Sequence, residues 1–131
     1  MNIKNKRINF ENIYPAGKIY TRGVKSGNTL FLSGTTAKKS SAQGGSPLEQ
    51  LDVILYRITA MVKSENGKPS DIVKLTTFVT NKSHWWPINS DHEKIYQKYF
   101  GKELPTNSII EVRGLVEEGL DIEIEAIAII T

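Results

Sequence analysis

Leu120-Asp121-Ile122-Glu123-Ile124-Glu125-Ala126-Ile127-Ala128-Ile129-Ile130 alternates as a strand does, and its reading decides the fold. Successive side chains of a strand point to opposite faces. Ile122, Ile124, Ala126 and Ala128 therefore share one face, wholly apolar and suited to a core. Glu123, Glu125, Ile127 and Ile129 share the other, which predicts a surface passing from a polar pocket or interface into a core. Such a strand needs partners, and the chain upstream supplies them. Asn107 to Arg113 precedes it across the turn Glu117-Glu118-Gly119, and Ile72 to Thr80 is rich in β-branched residues. Lys18 to Lys25 and Thr29 to Gly34 read as two strands joined at Ser26-Gly27-Asn28.

Two helices separate these strands. Ser46-Pro47-Leu48-Glu49 combines a capping serine, a proline at the first helical position and a glutamate that closes a capping box. The stripe Leu48, Leu51, Ile54, Leu55, Ile58, Met61 and Val62 follows, ending near Gly67-Lys68-Pro69. Ser90-Asp91-His92-Glu93 resembles a second capping box, with Ile95, Tyr96, Tyr99 and Phe100 as the buried face and Gly101 as the stop. Strand, strand, helix, strand, helix, strand, strand predicts an α+β domain with a mixed sheet and helices on one face. At 131 residues the chain is a single domain. Residues 1–13 read as a flexible basic N-terminal extension or a strand-like one.

Composition narrows the chemistry. The 17 basic and 14 acidic side chains leave a scattered charge of +3, too mild to argue for nucleic acid. With 39% hydrophobic and 24% charged residues the chain reads as globular. The absence of cysteine excludes disulfides, thiolate nucleophiles and Cys-based zinc sites. No apolar run is long enough to cross a membrane as a helix, and Met1 to Arg7 lacks the apolar stretch of a secretory signal, so a cytoplasmic location is expected. The Asn81-Lys82-Ser83 sequon is then chance.

Few residue patterns remain for function. His84 and His92 do not have the spacing of a helical zinc motif, so no metal is expected. Gly44-Gly45 lacks the rest of a phosphate loop, and Ser33 in Leu-Ser-Gly-Thr lacks a nucleophile elbow. Tyr20-Thr21-Arg22 and Trp85-Trp86 are better read as strand packing and a wedge under the second helix than as a nucleic-acid surface. Glu123 is left. A carboxyl on a mostly apolar strand face is desolvated, and Glu125 beside it adds like charge; both raise a carboxyl pKa towards the range useful for proton transfer. Salt-bridged or solvated acids at a sheet end remain the alternative.

Gly23-Val24-Lys25-Ser26-Gly27-Asn28-Thr29-Leu30-Phe31-Leu32-Ser33-Gly34, Asp71-Ile72-Val73-Lys74-Leu75-Thr76-Thr77-Phe78-Val79, Tyr99-Phe100-Gly101 with Leu104-Pro105, and Ile122-Glu123-Ile124-Glu125-Ala126-Ile127-Ala128 together resemble the reactive intermediate deaminase (Rid, YjgF-type) family. The likeness runs from about Tyr14 to the end. It implies a chorismate-mutase-like α+β fold, a homotrimer with small-molecule pockets between subunits, and hydrolysis of reactive 2-imino or enamine acids to keto acids and ammonia without metal or cofactor. It also implies a catalytic role for Glu123 and substrate binding by Tyr20, Ser33, Gly34, Asn107, Ser108 and Ile109.

One position departs from the pattern. The family's Pro-Ala-Arg-Ser meets this chain as Pro105-Thr106-Asn107-Ser108, so the arginine that grips a substrate carboxylate is replaced by asparagine. Three expectations follow. Arg22 or Arg113 takes over as a substitute cation; or Glu123 acts on an imine, enamine or related carbonyl compound without a carboxylate; or the protein is a non-catalytic small-molecule-binding or regulatory trimer. RNA cleavage ranks last, because the sequence offers no histidine pair or dense basic groove.

Overall fold

A computed structural model describes residues 4–131. Its strands are β1 (Lys6–Ile8), β2 (Gly23–Ser26), β3 (Thr29–Thr35), β4 (Ile72–Val79), β5 (Thr106–Glu111) and β6 (Ile122–Ile129). They form one sheet in the order β1-β2-β3-β6-β4-β5. Neighbours are antiparallel except β4 and β5, whose parallel pairing uses a helical crossover. The helices are α1 (Pro47–Ser64), between β3 and β4, and α2 (Ser90–Phe100), between β4 and β5. This is the α+β architecture the alternation predicts.

The apolar face of β6 settles the core. Ile122, Ile124, Ala126 and Ala128 are buried, together with Leu30 and Leu32 of β3 and Leu75 and Val79 of β4. Leu51, Ile54, Leu55 and Ile58 of α1 cover them. Ser46 caps α1 as expected, its Oγ accepting from the Glu49 N–H at 3.2 Å. The second cap is corrected by one residue: Asn89, not Ser90, accepts from the Asp91 and His92 amides. Asparagine satisfies two of the free donors at once.

Three strand ends lie two or more residues from expectation. The first hairpin strand begins at Gly23 rather than Lys18, because β1 reaches no further than its Ile8–Gly23 pair and Arg22 turns its side chain inward to the Gly34 carbonyl. β5 ends at Glu111 rather than Arg113, since the Val112 amide makes its bond to Val79, where β4 stops. β6 begins at Ile122 rather than Leu120, because the Asp121 amide is taken by Gln50 Oε1 at 2.8 Å. Lys6–Ile8 takes the strand-like form, and Phe10 and Ile13 beyond it enter the core; residues 1–3 of the expected extension lie outside the described residues. Trp85 is the wedge the sequence suggests, 1% exposed and edge-on to Tyr96 and His92, whereas Trp86 stands out.

The acid-bearing face of β6 is corrected as well. Neither helix covers it, so within one chain it does not pass into a core; Glu125 and Ile129 are exposed and Glu123 and Ile127 half-buried.

Candidate functional site

On this uncovered face, β6 lies between β3 and β4. The β3 ladder slips between Leu32, opposite Ala126, and Thr35, opposite Ile124. Ser33 and Gly34 thus face the single residue Glu125, which is a bulge, a common device for re-aiming groups beside a site. Gly34 is required there by proximity. A Cβ on it would stand 2.7 Å from the carboxyl carbon of Glu123 and 3.0 Å from Oε1. The missing side chain is the space the carboxyl occupies. Gly34→Ala is therefore expected to displace the flexible carboxyl and leave the ladder intact. Any activity that depends on the placing of this carboxyl should fall by roughly 10²-fold, the usual cost of about 1 Å misplacement, while the denaturation midpoint barely moves. Steady-state rates beside a denaturant melt check this.

Glu123 has no ion-pair partner among the described residues. Burial is the largest influence on its carboxyl and raises the pKa; the nearby Arg22 guanidinium opposes this, and Glu125 adds to it, leaving the pKa above the usual glutamate value. Arg22 is itself 1% exposed. Its Nη1 donates to the Gly34 carbonyl at 3.0 Å, and its guanidinium lies 5.0 Å from the Tyr14 ring centre and 5.4 Å from that of Tyr20. The cation thus steadies the bulge and tempers the acid without neutralising it by contact.

The other expected site residues divide between the two faces. Tyr20 covers Arg22 and is half exposed. The Ser33 hydroxyl donates to the Thr21 carbonyl and lines a groove of about 320 Å³ on the same sheet face as Glu123, with Glu125, Thr76, Phe31 and Ile127. Ser108 also belongs to this face, in register with Thr76 and, through it, with Glu125. Asn107 and Ile109 do not. They pair with Leu75 and Thr77, whose side chains are buried on the helix side. The buried Thr77 hydroxyl donates to Asn107 Oδ1 at 2.9 Å, and Asn107 lines a cleft of about 420 Å³ with Trp85, Tyr96 and Leu104. Asn107 and Glu123 of one chain therefore lie on opposite faces of the sheet.

Neither expected substitute cation reaches Asn107 within one chain. Arg22 precedes β2, four strands from β5, or roughly 19 Å at the usual strand spacing. Arg113 is exposed and past the last rung of β5, so it does not share the Asn107 face of a strand. The histidines are placed elsewhere too: both ring nitrogens of His92 are engaged, with Asn89 Oδ1 and the His84 carbonyl. Sequence reasoning missed Thr77 and the cleft. The hydroxyl in the otherwise apolar row Leu75-Thr77-Val79 is the signal that a polar partner lies beside it.

The family model described as Endoribonuclease L-PSP matches residues 11–130. The 2-iminobutanoate/2-iminopropanoate deaminase of Escherichia coli is 31% identical over 126 residues, spanning 95% of this chain and 97% of that protein. A RutC family protein of Pyrococcus horikoshii is 30% identical over 112 residues, spanning 83% of this chain and 85% of the other. The solved structure of a conserved Rid-family protein of unknown function from Yersinia pestis superposes with a TM-score of 0.82 at 26% identity, covering 97% of this chain and 100% of that one.

Proposed function

The chain belongs to the Endoribonuclease L-PSP family, the Rid/YjgF group, and from that premise we propose that it hydrolyses a small reactive imine or enamine, with Glu123 as the proton-transfer group. The observation that carries this reading is a half-buried carboxyl, raised in pKa and without an ion-pair partner among the described residues, lying in the space that a glycine bulge leaves open. The E. coli relative's name supplies the reaction class.

The chemistry balances on this one group. Water adds its oxygen to the imine carbon while the Glu123 carboxylate takes the proton, and the C=N electron pair moves to nitrogen. The carbinolamine then receives that proton on nitrogen, the C–N bond breaks and ammonia leaves as the hydroxyl oxygen forms the carbonyl and returns its proton to the Glu123 carboxylate. A carboxyl held above its usual pKa is matched to both halves of the exchange. No cofactor or metal is called for, because a protonated imine is already electrophilic.

Asn107 points to a substrate other than a 2-imino acid. An arginine makes two charge-assisted hydrogen bonds to a carboxylate, and an asparagine cannot replace them. A site using both Asn107 and Glu123 also needs two copies of the chain, since the sheet separates them within one. The exposed apolar residues beside the acids, Phe31, Ile110 and Ile129, support assembly on that face, and a homotrimer with ligand between subunits is the reading we adopt. An RNA-cleaving role finds less support: His92 is buried against Trp85, and His84 flanks the same aromatic wedge rather than the acids.

The test is ammonia release from imines generated in situ, from neutral amines by an amine oxidase and from amino acids by an amino-acid oxidase. The wild-type protein is expected to accelerate breakdown of the uncharged imines, and Glu123→Ala to abolish the acceleration. No acceleration of either class, or an unchanged rate in Glu123→Ala, contradicts the proposal.

A further inference from the structure

Two opposite charges meet at Gly34 without pairing. The Arg22 guanidinium donates to the Gly34 carbonyl, and the Glu123 carboxyl fills the space where a side chain on Gly34 would stand. Yet no ion pair joins Arg22 to Glu123 among the described residues. A buried guanidinium beside a carboxyl ordinarily closes onto it, because each charge is costly to bury alone and charge-assisted hydrogen bonds are strong. Arg22 is also under-bonded. The Gly34 carbonyl is the one acceptor its side chain meets among the described residues, and its buried Nε has no partner. Hydrogen bonds alone therefore do not hold this cation where it lies.

Aromatic rings supply the rest. The guanidinium lies against Tyr14 and Tyr20, within the range of cation–π attraction. The two rings are held differently. Tyr20 is half exposed, whereas Tyr14 is pinned. The Tyr14 phenol oxygen accepts from the Thr36 N–H at 3.2 Å and shares a 3.0 Å hydrogen bond with the Thr36 hydroxyl. Thr36 is itself buried, and its carbonyl accepts from Arg57 Nη1 of α1 at 2.6 Å. Arg57 and Lys38 approach the same Tyr14 ring, at 5.3 and 5.6 Å from its centre. Both carry the charge of Arg22, so without the ring that side repels the guanidinium. Tyr14 lines neither the groove beside Glu125 nor the cleft at Asn107.

We propose that Tyr14 is a positioning residue that acts through Arg22: pinned by Thr36, its ring holds the guanidinium on the Gly34 carbonyl and out of contact with the Glu123 carboxyl. The carboxyl is thereby left free to exchange a proton with water. This deepens the reading of Glu123 as the proton-transfer group and rests on it. The charged groups that act on Glu123 are Arg22, ahead of β2, and Glu125, on β6 itself. Opposite Glu123, β4 presents Phe78, with Lys74 four positions back along that strand, and β3 presents the Ser33–Gly34 bulge.

The experiment is an NMR titration of the Glu123 carboxyl in the full chain, without substrate. In Tyr14→Leu, Arg22 is expected to close onto Glu123 and move its titration to lower pH than in the wild type, since an ion pair favours the charged form. Tyr14→Phe, which keeps the ring, should titrate close to the wild type. Arg22→Gln should titrate at higher pH, and adding Tyr14→Leu to it should change nothing further. Rates on an uncharged imine should follow. In Tyr14→Leu the acid limb of kcat/KM moves down, and kcat falls roughly 10²-fold with little change in KM, because the carboxylate is drawn out of place. Tyr14→Met carries the same test should the leucine variant not fold. A titration that stays or rises when the ring is removed, a phenylalanine variant that shifts as far as leucine, or a downward shift that persists without Arg22 overturns the proposal. The titration needs no substrate, so a wild-type protein that hydrolyses no imine contradicts the assigned reaction and leaves this test standing.

Discussion

Glu123→Gln is expected to lower imine hydrolysis by about 10²–10⁴-fold, the range for a lost general acid–base group, and at the same time to raise the melting temperature at pH 7. The pairing of the two effects follows from the sign of the pKa shift. Burial holds the folded-state carboxyl above its ordinary value, so folding favours the protonated form. That preference contributes to stability at pH values below the ordinary pKa and is lost as pH rises through the folded-state pKa. At neutral pH the wild-type fold therefore carries a disfavoured charge that glutamine removes. The stability gain should close below about pH 4, where both states of the wild type are protonated. An inactive variant that is less stable at pH 7 would mean that the carboxylate is a structural anchor.

Asn107→Arg is the second large effect. Restoring the guanidinium is expected to lower KM for 2-imino acids on the order of 30-fold or more, with a much smaller change in kcat, because the fork contributes to binding and not to proton transfer. Uncharged imines should lose affinity in the same variant, since the arginine displaces the donor that Thr77 orients. KM values taken with both imine classes check this. An unchanged KM for the imino acid would mean that position 107 does not face substrate and that the pocket is assembled from other strands.

Much of this was legible in the sequence because it depends on local periodicity. The alternation from Ile122 to Ile129, the stripe from Leu51 to Val62 and the Ser46 cap each follow from a few neighbouring residues, and the structure agrees with all three. The wedge role of Trp85 was legible for the same reason, standing just ahead of an amphipathic helix. Strand ends were not, because they depend on distant partners: Gln50 takes the Asp121 amide, and β1 decides where β2 begins. The β6 acids were readable as a face but not as an uncovered one. Coverage depends on where both helices are placed. Nor could alternation place Asn107 and Glu123 on opposite sides of the sheet, because their relative phase is set by the register of β4 against both β5 and β6. The Ser33–Gly34 bulge and the inward turn of Arg22 are likewise long-range outcomes, and they shape the environment of Glu123.

The most direct measurement is a site-specific NMR titration of the Glu123 carboxyl, set against the acid limb of kcat/KM for an uncharged imine. The account predicts that both fall at the same pH, above the ordinary glutamate value of 4.5, and that Glu125→Gln moves both downward together. A carboxyl that titrates at or below 4.5, or an acid limb that ignores its titration, contradicts the assignment of Glu123 as the group that moves the proton.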